Sequence, residues 1–269
     1  MNRRILFRWV KVFILIYCII GIAIYYLQDY FILIPSPLPK DHNYDFALPY
    51  KEVNLPYNGE TNINIIQFAS PDSVPKGVVL YFHGNRKNVS RYRWFVPYFT
   101  RSGYELWMID YPGFGKSTGQ FSEPLVYEWS LIMYNLARTR FSPESIVIYG
   151  KSLGTGIAAQ LASIRNCKFL GLESPYYSIP AVFSYYAPIY PMNRMIKHRF
   201  PTYEYLPQVT DPVVIFHGTD DRVIPYRHAA SLQELLKKSD KLITLEDGTH
   251  RNLFTFPQVP ATLDSMLTH

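Results

Sequence analysis

The chain has 269 residues, of which 48 % are hydrophobic and 18 % charged, so it is long enough for one large α/β domain and too apolar for a disordered protein. Its net charge of +6 comes largely from two local clusters, one before residue 12 and one at residues 194–199, and neither continues along a surface element as a nucleic-acid-binding stripe does. We therefore expect no nucleic-acid partner, and because two cysteines cannot build a disulfide framework, we expect Cys18 and Cys167 to be free thiols.

An uncharged apolar segment comes first in chain order, because residues 12–28 read VFILIYCIIGIAIYYLQ. At about 1.5 Å per residue, a helix over these 17 residues spans roughly 25 Å, slightly less than a hydrocarbon core of about 30 Å. Basic residues precede it, which by the positive-inside rule places the amino-terminal end in the cytoplasm and the main domain on the opposite side of the membrane. The sequence predicts a basic cytoplasmic segment at 1–11 and a single-pass transmembrane anchor at 12–28.

Two alternatives to an uncleaved anchor stay open. A cleaved signal peptide needs a site flanked by small residues, and Gly21-Ile22-Ala23 offers one, but more apolar residues follow it instead of a polar mature start. A lipid-modified cysteine at position 18 would normally follow a small residue, whereas Tyr17 precedes Cys18. Length and flanking residues favour the anchor over both alternatives.

The rest of the chain divides into a proline-punctuated linker at 29–47 and one predicted domain at 48–269, in which strand-like and helix-like stretches alternate. Continuous apolar strands between helices indicate a mostly parallel sheet with helices on both faces. The predicted strands lie in NINIIQFAS, GVVLYFHGN, YELWMIDYPGFG, SIVIYGKS, CKFLGLES, PVVIFHGTDD and KLITLEDGTH. The predicted helices are 92–102, 124–139, 155–165 and 228–238.

The tripeptide Gly150-Lys151-Ser152 has two competing interpretations. A phosphate-binding loop requires a glycine five residues before Gly150, where Ser145 stands instead. The same tripeptide recurs at 115–117, and there Asp110 stands in place of the required glycine. Neither copy has the backbone freedom that wraps a phosphate, so the sequence excludes this nucleotide-binding motif.

The other interpretation is a strand-to-helix turn that presents Ser152 as a nucleophile, within the pattern Gly-x-Ser-x-Gly. A nucleophilic serine needs a histidine base and an acid that orients the histidine. Asp220 and Asp221 follow one predicted strand, and His250 lies in a glycine-containing turn after the last strand. Glu173 also follows a strand and is the second choice of acid. His83 and His217 occur in His-Gly turns and are predicted to bond the backbone.

With these residues in place, the sequence resembles the α/β-hydrolase superfamily, and within it the membrane-anchored serine hydrolases of the depalmitoylase-like and serine-aminopeptidase-like kinds. The motifs are YFHGN, DYPGFGKSTG, GKSLG, LESP, FHGTDDRVIP and GTH, between about residues 48 and 256. The resemblance implies the α/β-hydrolase fold with a catalytic triad of Ser152, Asp221 and His250, Asp221 being preferred to Asp220. It also implies that the backbone N–H groups of Leu153 and Asn85 form an oxyanion hole.

An insertion at about 174–207 corresponds to the lid of that fold, and its seven tyrosines either shape an apolar acyl pocket or only pack the lid onto the body. We expect a serine hydrolase of carboxylic esters or thioesters, working through an acyl-enzyme intermediate on a small-molecule, lipid or acylated-protein substrate. The alternatives are a peptidase of the serine-aminopeptidase type and a non-catalytic membrane-tethered binding protein. No cofactor or metal is expected, since no ligand spacing is present.

Overall fold

A computed structural model describes residues 3–268; Met1, Asn2 and His269, at the outer ends of the predicted segments 1–11 and 48–269, lie outside the described residues. The strands in chain order are β1 (Ile34–Pro35), β2 (Tyr50–Pro56), β3 (Asn62–Phe68), β4 (Gly77–Phe82), β5 (Arg86–Lys87), β6 (Tyr104–Ile109), β7 (Ile146–Lys151), β8 (Phe169–Glu173), β9 (Val213–Gly218) and β10 (Lys241–Leu245). The helices are α1 (Arg3–Ile32), α2 (Val96–Thr100), α3 (Glu123–Arg138), α4 (Leu153–Ile164), α5 (Ile179–Tyr186), α6 (Met192–Met195), α7 (Thr202–Tyr205), α8 (Arg227–Gln233) and α9 (Gln258–Thr268). Short 3₁₀ segments occupy Val89–Phe95, Pro143–Ser145, Leu206–Gln208 and Leu253–Thr255.

A mixed sheet of eight strands forms the centre, in the order β10-β9-β8-β7-β4-β6-β3-β2. The strands from β10 to β6 pair in parallel, and only β3 with β6 and β2 with β3 pair antiparallel. Parallel strands have their carboxyl ends at one edge of the sheet, so the turns that follow β4, β7, β9 and β10 meet there. The predicted mostly parallel sheet is confirmed.

Helices cover both faces of the sheet because successive residues of a buried strand point to opposite sides. Along β4, Val78 and Leu80 belong to one hydrophobic cluster, while Val79 and Tyr81 belong to another. The first cluster includes buried residues of α3, α4 and α8, and the second includes buried residues of α2 and α9. Burial on both faces explains why these strands are continuous apolar runs rather than alternating ones.

Several elements differ from the sequence prediction at the edges of the fold. Strand β2 was not predicted, because it is an edge strand with alternating exposure and polar residues such as Lys51 and Asn54. Helix α9 was also not predicted, since it contains Pro260 near its start. The predicted helix 228–238 ends earlier, at Gln233, and the predicted helix 92–102 is a 3₁₀ segment followed by the short α2.

The amino-terminal apolar segment is one long helix, α1, which is long and apolar enough to cross a membrane by length and composition. Its residues from 3 to 20 are exposed, whereas one face of its last turns, including Gln28 and Ile32, is buried against the body. The chain then pairs β1 with β5, directly after β4. Helix α1 is therefore packed against the domain at the edge of the sheet where the strands end.

Candidate active site

Ser152 lies in a tight turn between β7 and α4. Its backbone has φ 52° and ψ −119°, a combination that costs a non-glycine residue about 1–3 kcal/mol and persists only where the surroundings enforce it. The two flanking glycines make the turn possible: a Cβ on Gly150 would collide with the backbone of Gly154, and one on Gly154 would collide with the carbonyl of Phe82. The Ser152 N–H also donates to the Glu173 carbonyl at 2.9 Å, which ties the turn to β8.

Three side chains from three different strand ends meet at this turn. The Nε2 atom of His250 lies 3.0 Å from the Ser152 Oγ, and the Nδ1 atom lies 2.7 Å from the Asp221 Oδ2. Asp221 and Ser152 are buried, and His250 is partly buried between them. The sequence-predicted serine, histidine and Asp221 thus form one continuous hydrogen-bonded chain, with the geometry that proton transfer from a serine requires.

The carboxylate of Asp221 is held on both oxygens. Its Oδ1 accepts from the N–H groups of Val223 at 2.9 Å and Ile224 at 2.8 Å, which leaves Oδ2 facing His250. Burial opposes ionisation of Asp221, but the hydrogen bond and charge of His250, together with the Ile224 N–H, outweigh it and hold the pKa of Asp221 below its usual value. Asp220 points to solvent instead and pairs with Arg222 at 3.1 Å.

Glu173, the other acid considered from the sequence, has a different partner. It is buried and forms an ion pair with Lys151, the residue before the nucleophile, and the Tyr149 hydroxyl also contacts it. The Lys151 ammonium lies 3.4 Å from the His250 carbonyl. The pair therefore braces the nucleophile turn against the loop of the histidine, and a buried carboxylate with such a partner is a structural group.

The two histidines of the His-Gly turns bond the backbone, as predicted. The Nδ1–H of His83 donates to the Gly84 carbonyl at 2.7 Å, and the Nε2–H of His217 donates to the Ile224 carbonyl at 2.8 Å. Burial lowers the pKa of His217, although Asp221 lies nearby, so this ring is neutral and supports the Asp221 turn without carrying charge.

Leu153 and Asn85 line the same cavity as Ser152, and this cavity has a volume of about 280 Å³. Leu153 is the first residue of α4, and the first N–H groups of a helix have no partner within it. Asn85 belongs to the turn after β4, and a Cβ on the neighbouring Gly84 would lie only 3.5 Å from the Ser152 Cβ. The rest of the cavity lining is apolar or aromatic.

The sequence did not predict that α1 contributes to this cavity. Ile24, Phe31 and Ile32 line it together with residues of the lid. The side-chain N–H of Asn85 donates to the Ile32 carbonyl at 2.8 Å, and the Ile34 N–H donates to the Asn85 carbonyl at 2.9 Å. A polar Gln28 and Asp29 directly after an apolar run were the only sequence signals that this end of the helix has a protein partner.

The protein family described as serine aminopeptidase, S33, matches residues 73–208, just over half of the chain. The chain is 30 % identical over 196 residues to alpha/beta hydrolase domain-containing protein 17C of Xenopus tropicalis, and 29 % identical to the human protein of that name. The matches cover 71 % of this chain and 61 % and 58 % of those relatives. The chain thus spans about three fifths of the length of the curated relatives it matches.

Solved structures share the architecture. An esterase from Pyrococcus furiosus is similar with a TM-score of 0.68 at 16 % identity, covering 88 % of this chain and 97 % of the esterase. An esterase from Exiguobacterium antarcticum is similar with a TM-score of 0.57 at 18 % identity, covering 78 % and 96 %. These likenesses confirm the predicted α/β-hydrolase fold, a mostly parallel sheet with helices on both faces.

Proposed function

Because the chain belongs to the serine aminopeptidase S33 family of the α/β-hydrolase superfamily, we propose that it is a serine hydrolase that cleaves carboxylic ester or thioester bonds of apolar acyl groups. The observation that carries this proposal is the hydrogen-bonded chain from Ser152 through His250 to Asp221 at the base of an apolar cavity. Hydrolase activity is common to the family; the bond and the catalytic roles are the proposal.

In the proposed mechanism the Ser152 hydroxyl attacks the acyl carbonyl while the Nε2 atom of His250 takes its proton. Asp221 holds the imidazole through Nδ1 and stabilises the imidazolium that forms. The negative charge on the carbonyl oxygen is met by the N–H groups of Leu153 and Asn85. His250 then returns the proton to the leaving alcohol or thiol, and water hydrolyses the acyl-enzyme by the same steps.

The lining of the cavity favours an acyl group over a peptide with a free amino terminus. An aminopeptidase must hold the ammonium group of its substrate, which requires a nearby carboxylate if the charge is to leave water. None of the residues that line this cavity is charged, and the Asp221 carboxylate is occupied by His250 and two backbone N–H groups. An apolar acyl chain fits such a lining, because no charged group has to lose its hydration.

The proposed location is a membrane, with α1 as the anchor and its uncharged segment 12–28 in the hydrocarbon layer. The exposed apolar residues over most of this helix support the proposal, because such a surface is unfavourable in water. The basic residues before position 12 support an amino-terminal end in the cytoplasm and a catalytic domain on the opposite side.

Labelling with a fluorophosphonate, which reacts covalently with an activated serine, tests the function on the full chain in detergent micelles. The native chain should be labelled, and Ser152→Ala should lose both the label and ester turnover, the latter on the order of a millionfold. Ser163→Ala is the matched control, since its hydroxyl lies on the same helix and only donates to the Gln160 carbonyl at 2.7 Å.

Two outcomes would contradict the proposal. A Ser152→Ala chain that still reacts would place the nucleophile elsewhere. A native chain that neither reacts nor hydrolyses any ester would favour the alternative of a membrane-tethered binding protein.

A further inference from the structure

The tip of the lid, defined as residues 183–191, lies against the middle of α1. The rings of Tyr17 and Tyr190 stack with centroids 4.5 Å apart. The Tyr17 hydroxyl donates to the Ile189 carbonyl at 3.1 Å, and the Tyr190 hydroxyl donates to the Tyr17 carbonyl at 3.0 Å. Gly21 leaves the room that brings the Tyr190 ring close to the helix. The lid tip therefore has a fixed height along α1, level with residue 17.

A second set of contacts fixes the base of the lid at the end of α1. The Gln28 side chain donates to the Met195 carbonyl at 3.1 Å and accepts from the Lys197 N–H at 2.6 Å. The Asp29 carboxylate contacts the His198 ring at 3.0 Å. The lid accordingly runs beside α1 from residue 28 back to residue 17, roughly 16 Å along the helix axis at about 1.5 Å per residue.

The surface of the lid changes character along that path. No charged residue occurs from Ser174 to Asn193, and Ile189 at the tip is 69 % exposed. Basic residues begin at Arg194, and the Lys197 ammonium lies 5.5 Å from the Tyr25 ring, level with the end of the uncharged helical segment. This order of residues, apolar first and then tyrosine and basic side chains, is typical of a protein segment that passes from the hydrocarbon layer to the headgroups.

The backbone of the tip is also suited to an apolar medium. The N–H groups of Ala187, Tyr190 and Met192 donate to carbonyls within the tip, and the Ile189 carbonyl is satisfied by Tyr17. Inside a bilayer no water is available to replace such bonds, so irregular backbone persists there only when the protein satisfies it.

We propose that α1 and the lid tip enter the bilayer as one unit, and that the cavity above Ser152 receives a fatty acyl chain directly from the hydrocarbon layer. This inference rests on the proposed function for the chemistry at Ser152. Ile24 belongs to both the proposed membrane segment and the cavity, because it lies within the uncharged segment 12–28 and lines the cavity that contains the serine. Phe183 of the lid lines the same cavity, so α1 and the lid together form the wall that an acyl chain would contact. The substrate class is a long-chain acyl ester or thioester dissolved in a membrane.

Insertion of the lid tip is measured without any catalysis. Ile189→Cys, in a full chain that also carries Cys18→Ser, is labelled with an environment-sensitive fluorophore and reconstituted in phosphatidylcholine vesicles; the remaining Cys167 is buried. Val74→Cys is the control, since Val74 is 78 % exposed in the loop before β4, at the opposite edge of the sheet. The label at 189 should emit at shorter wavelength and be quenched by bromine on the lipid chains, while the label at 74 should not. Equal emission and quenching at both positions would overturn the proposal.

The role of Ile24 is measured with a series of esters from acetate to palmitate in the same vesicles. Ile24→Trp should lower kcat/KM for the long esters by about tenfold or more relative to the acetate ester, because the larger ring takes up space in the cavity. Ile22→Trp is the matched control on the exposed face of the same helix, where Ile22 is 59 % exposed, and should keep the native profile. A diacyl phospholipid and a membrane-bound S-acyl peptide as substrates then distinguish a lipid ester from a protein thioester.

The two levels of the proposal fail in different ways. A native chain that does not cleave even the acetate ester contradicts the proposed function. A native chain that cleaves acetate, with the same chain-length profile in Ile24→Trp, contradicts the inference about α1 and leaves the function standing.

Discussion

The proposed catalytic residues and the wall of the proposed substrate cavity are built in opposite ways. Ser152, Asp221 and His250 follow three strands of one sheet, so the backbone hydrogen bonds of the sheet set their separation. The wall comes from α1 and the lid, which contact each other across about 170 residues of chain through pairs such as Tyr17 and Tyr190. The first region is rigid by construction, and the second depends on the docking of two separate segments.

This difference indicates in which part of the molecule substitutions can change the cavity without disturbing the proposed catalytic residues. A change in the lid or in α1 alters the shape of the cavity without moving the strands that hold the triad. Chemistry and substrate choice are therefore separable, except where α1 touches the turn after β4 through Asn85 and where Val223 and Ile224, whose N–H groups bind Asp221, line the cavity. Substitutions in the two regions should give different kinetic signatures.

After loss of the serine itself, the largest effect is expected for Asp221→Asn. An asparagine keeps the shape but removes the charge that orients the imidazole and stabilises its cation, so kcat should fall about 10⁴-fold with little change in KM. Asp220→Asn, one residue away, removes only a solvent-exposed partner of Arg222 and should stay within about twofold of the native rate, because exposed ion pairs contribute little. Ester hydrolysis at saturating substrate measures both.

Equal losses in the two variants would contradict the assignment of Asp221. A large loss in Asp221→Asn that appears mainly in KM would instead connect this residue to the cavity and erase the separation between the two regions.

The success of the predictions from sequence also differs between regions of the molecule. The seven predicted strands are present, and six of them are buried along most of their length and form continuous apolar runs that local sequence records. The seventh, β10, is an edge strand and is only partly buried. The edge strand β2 was missed, since its apolar and polar residues alternate and it pairs on one side only with β3. Local composition therefore indicates the interior strands, whereas of the two edge strands it indicated β10 and missed β2.

The site divides in the same manner. Each triad residue stands in a turn directly after a strand, and parallel strands bring such turns together, so a one-dimensional pattern was enough to select Ser152, His250 and the Asp220–Asp221 pair. The choice between the two aspartates depended on resemblance, and the direction of the carboxylates is a property of the folded turn. The packing of Gln28 under the lid is a contact between distant segments, and no local pattern encodes it.

The pH dependence of the free energy of unfolding tests the contact between His228 and the first residues of the lid, and not the triad. Burial, with the charge of Arg227 as a smaller contribution, lowers the pKa of His228 to about 4, and its Nδ1 accepts from the Tyr177 N–H at 3.4 Å. The folded state disfavours the charged His228 ring. The free energy of unfolding therefore has its full value above the unfolded pKa near 6.5 and decreases as the pH falls from there towards 4. The loss should be on the order of 2–3 kcal/mol.

Urea unfolding of the full chain in detergent micelles at pH 7.5 and pH 4.5 checks this expectation. His228→Gln cannot take up the proton and should show a smaller difference between the two pH values than the native chain. His42→Gln, at a half-buried ring that packs against Tyr44, should keep the native difference. The same pH sensitivity in His228→Gln and the native chain would show that another group is responsible.

The smallest effect is expected where the two regions touch, at Asn85. The proposed oxyanion donor is the backbone N–H, which Asn85→Ala retains, but the variant loses the side-chain bond to the Ile32 carbonyl. A hydrogen bond of this kind contributes about 1 kcal/mol, so a looser turn should lower kcat by about fivefold while KM for an acetate ester stays constant. Stopped-flow acylation with that ester separates the two constants.

Two further variants decide what the side chain of Asn85 does. Asn85→Asp cannot donate to the Ile32 carbonyl and should be slower than Asn85→Ala, because two acceptors then face each other. Asn88→Ala removes a similar bond, at 3.0 Å to the Ser36 carbonyl and farther along the chain from the nucleophile turn, and should leave kcat unchanged. A native rate in Asn85→Ala would mean that α1 shapes only the cavity, whereas a thousandfold loss would mean that the side chain itself contacts the reacting carbonyl.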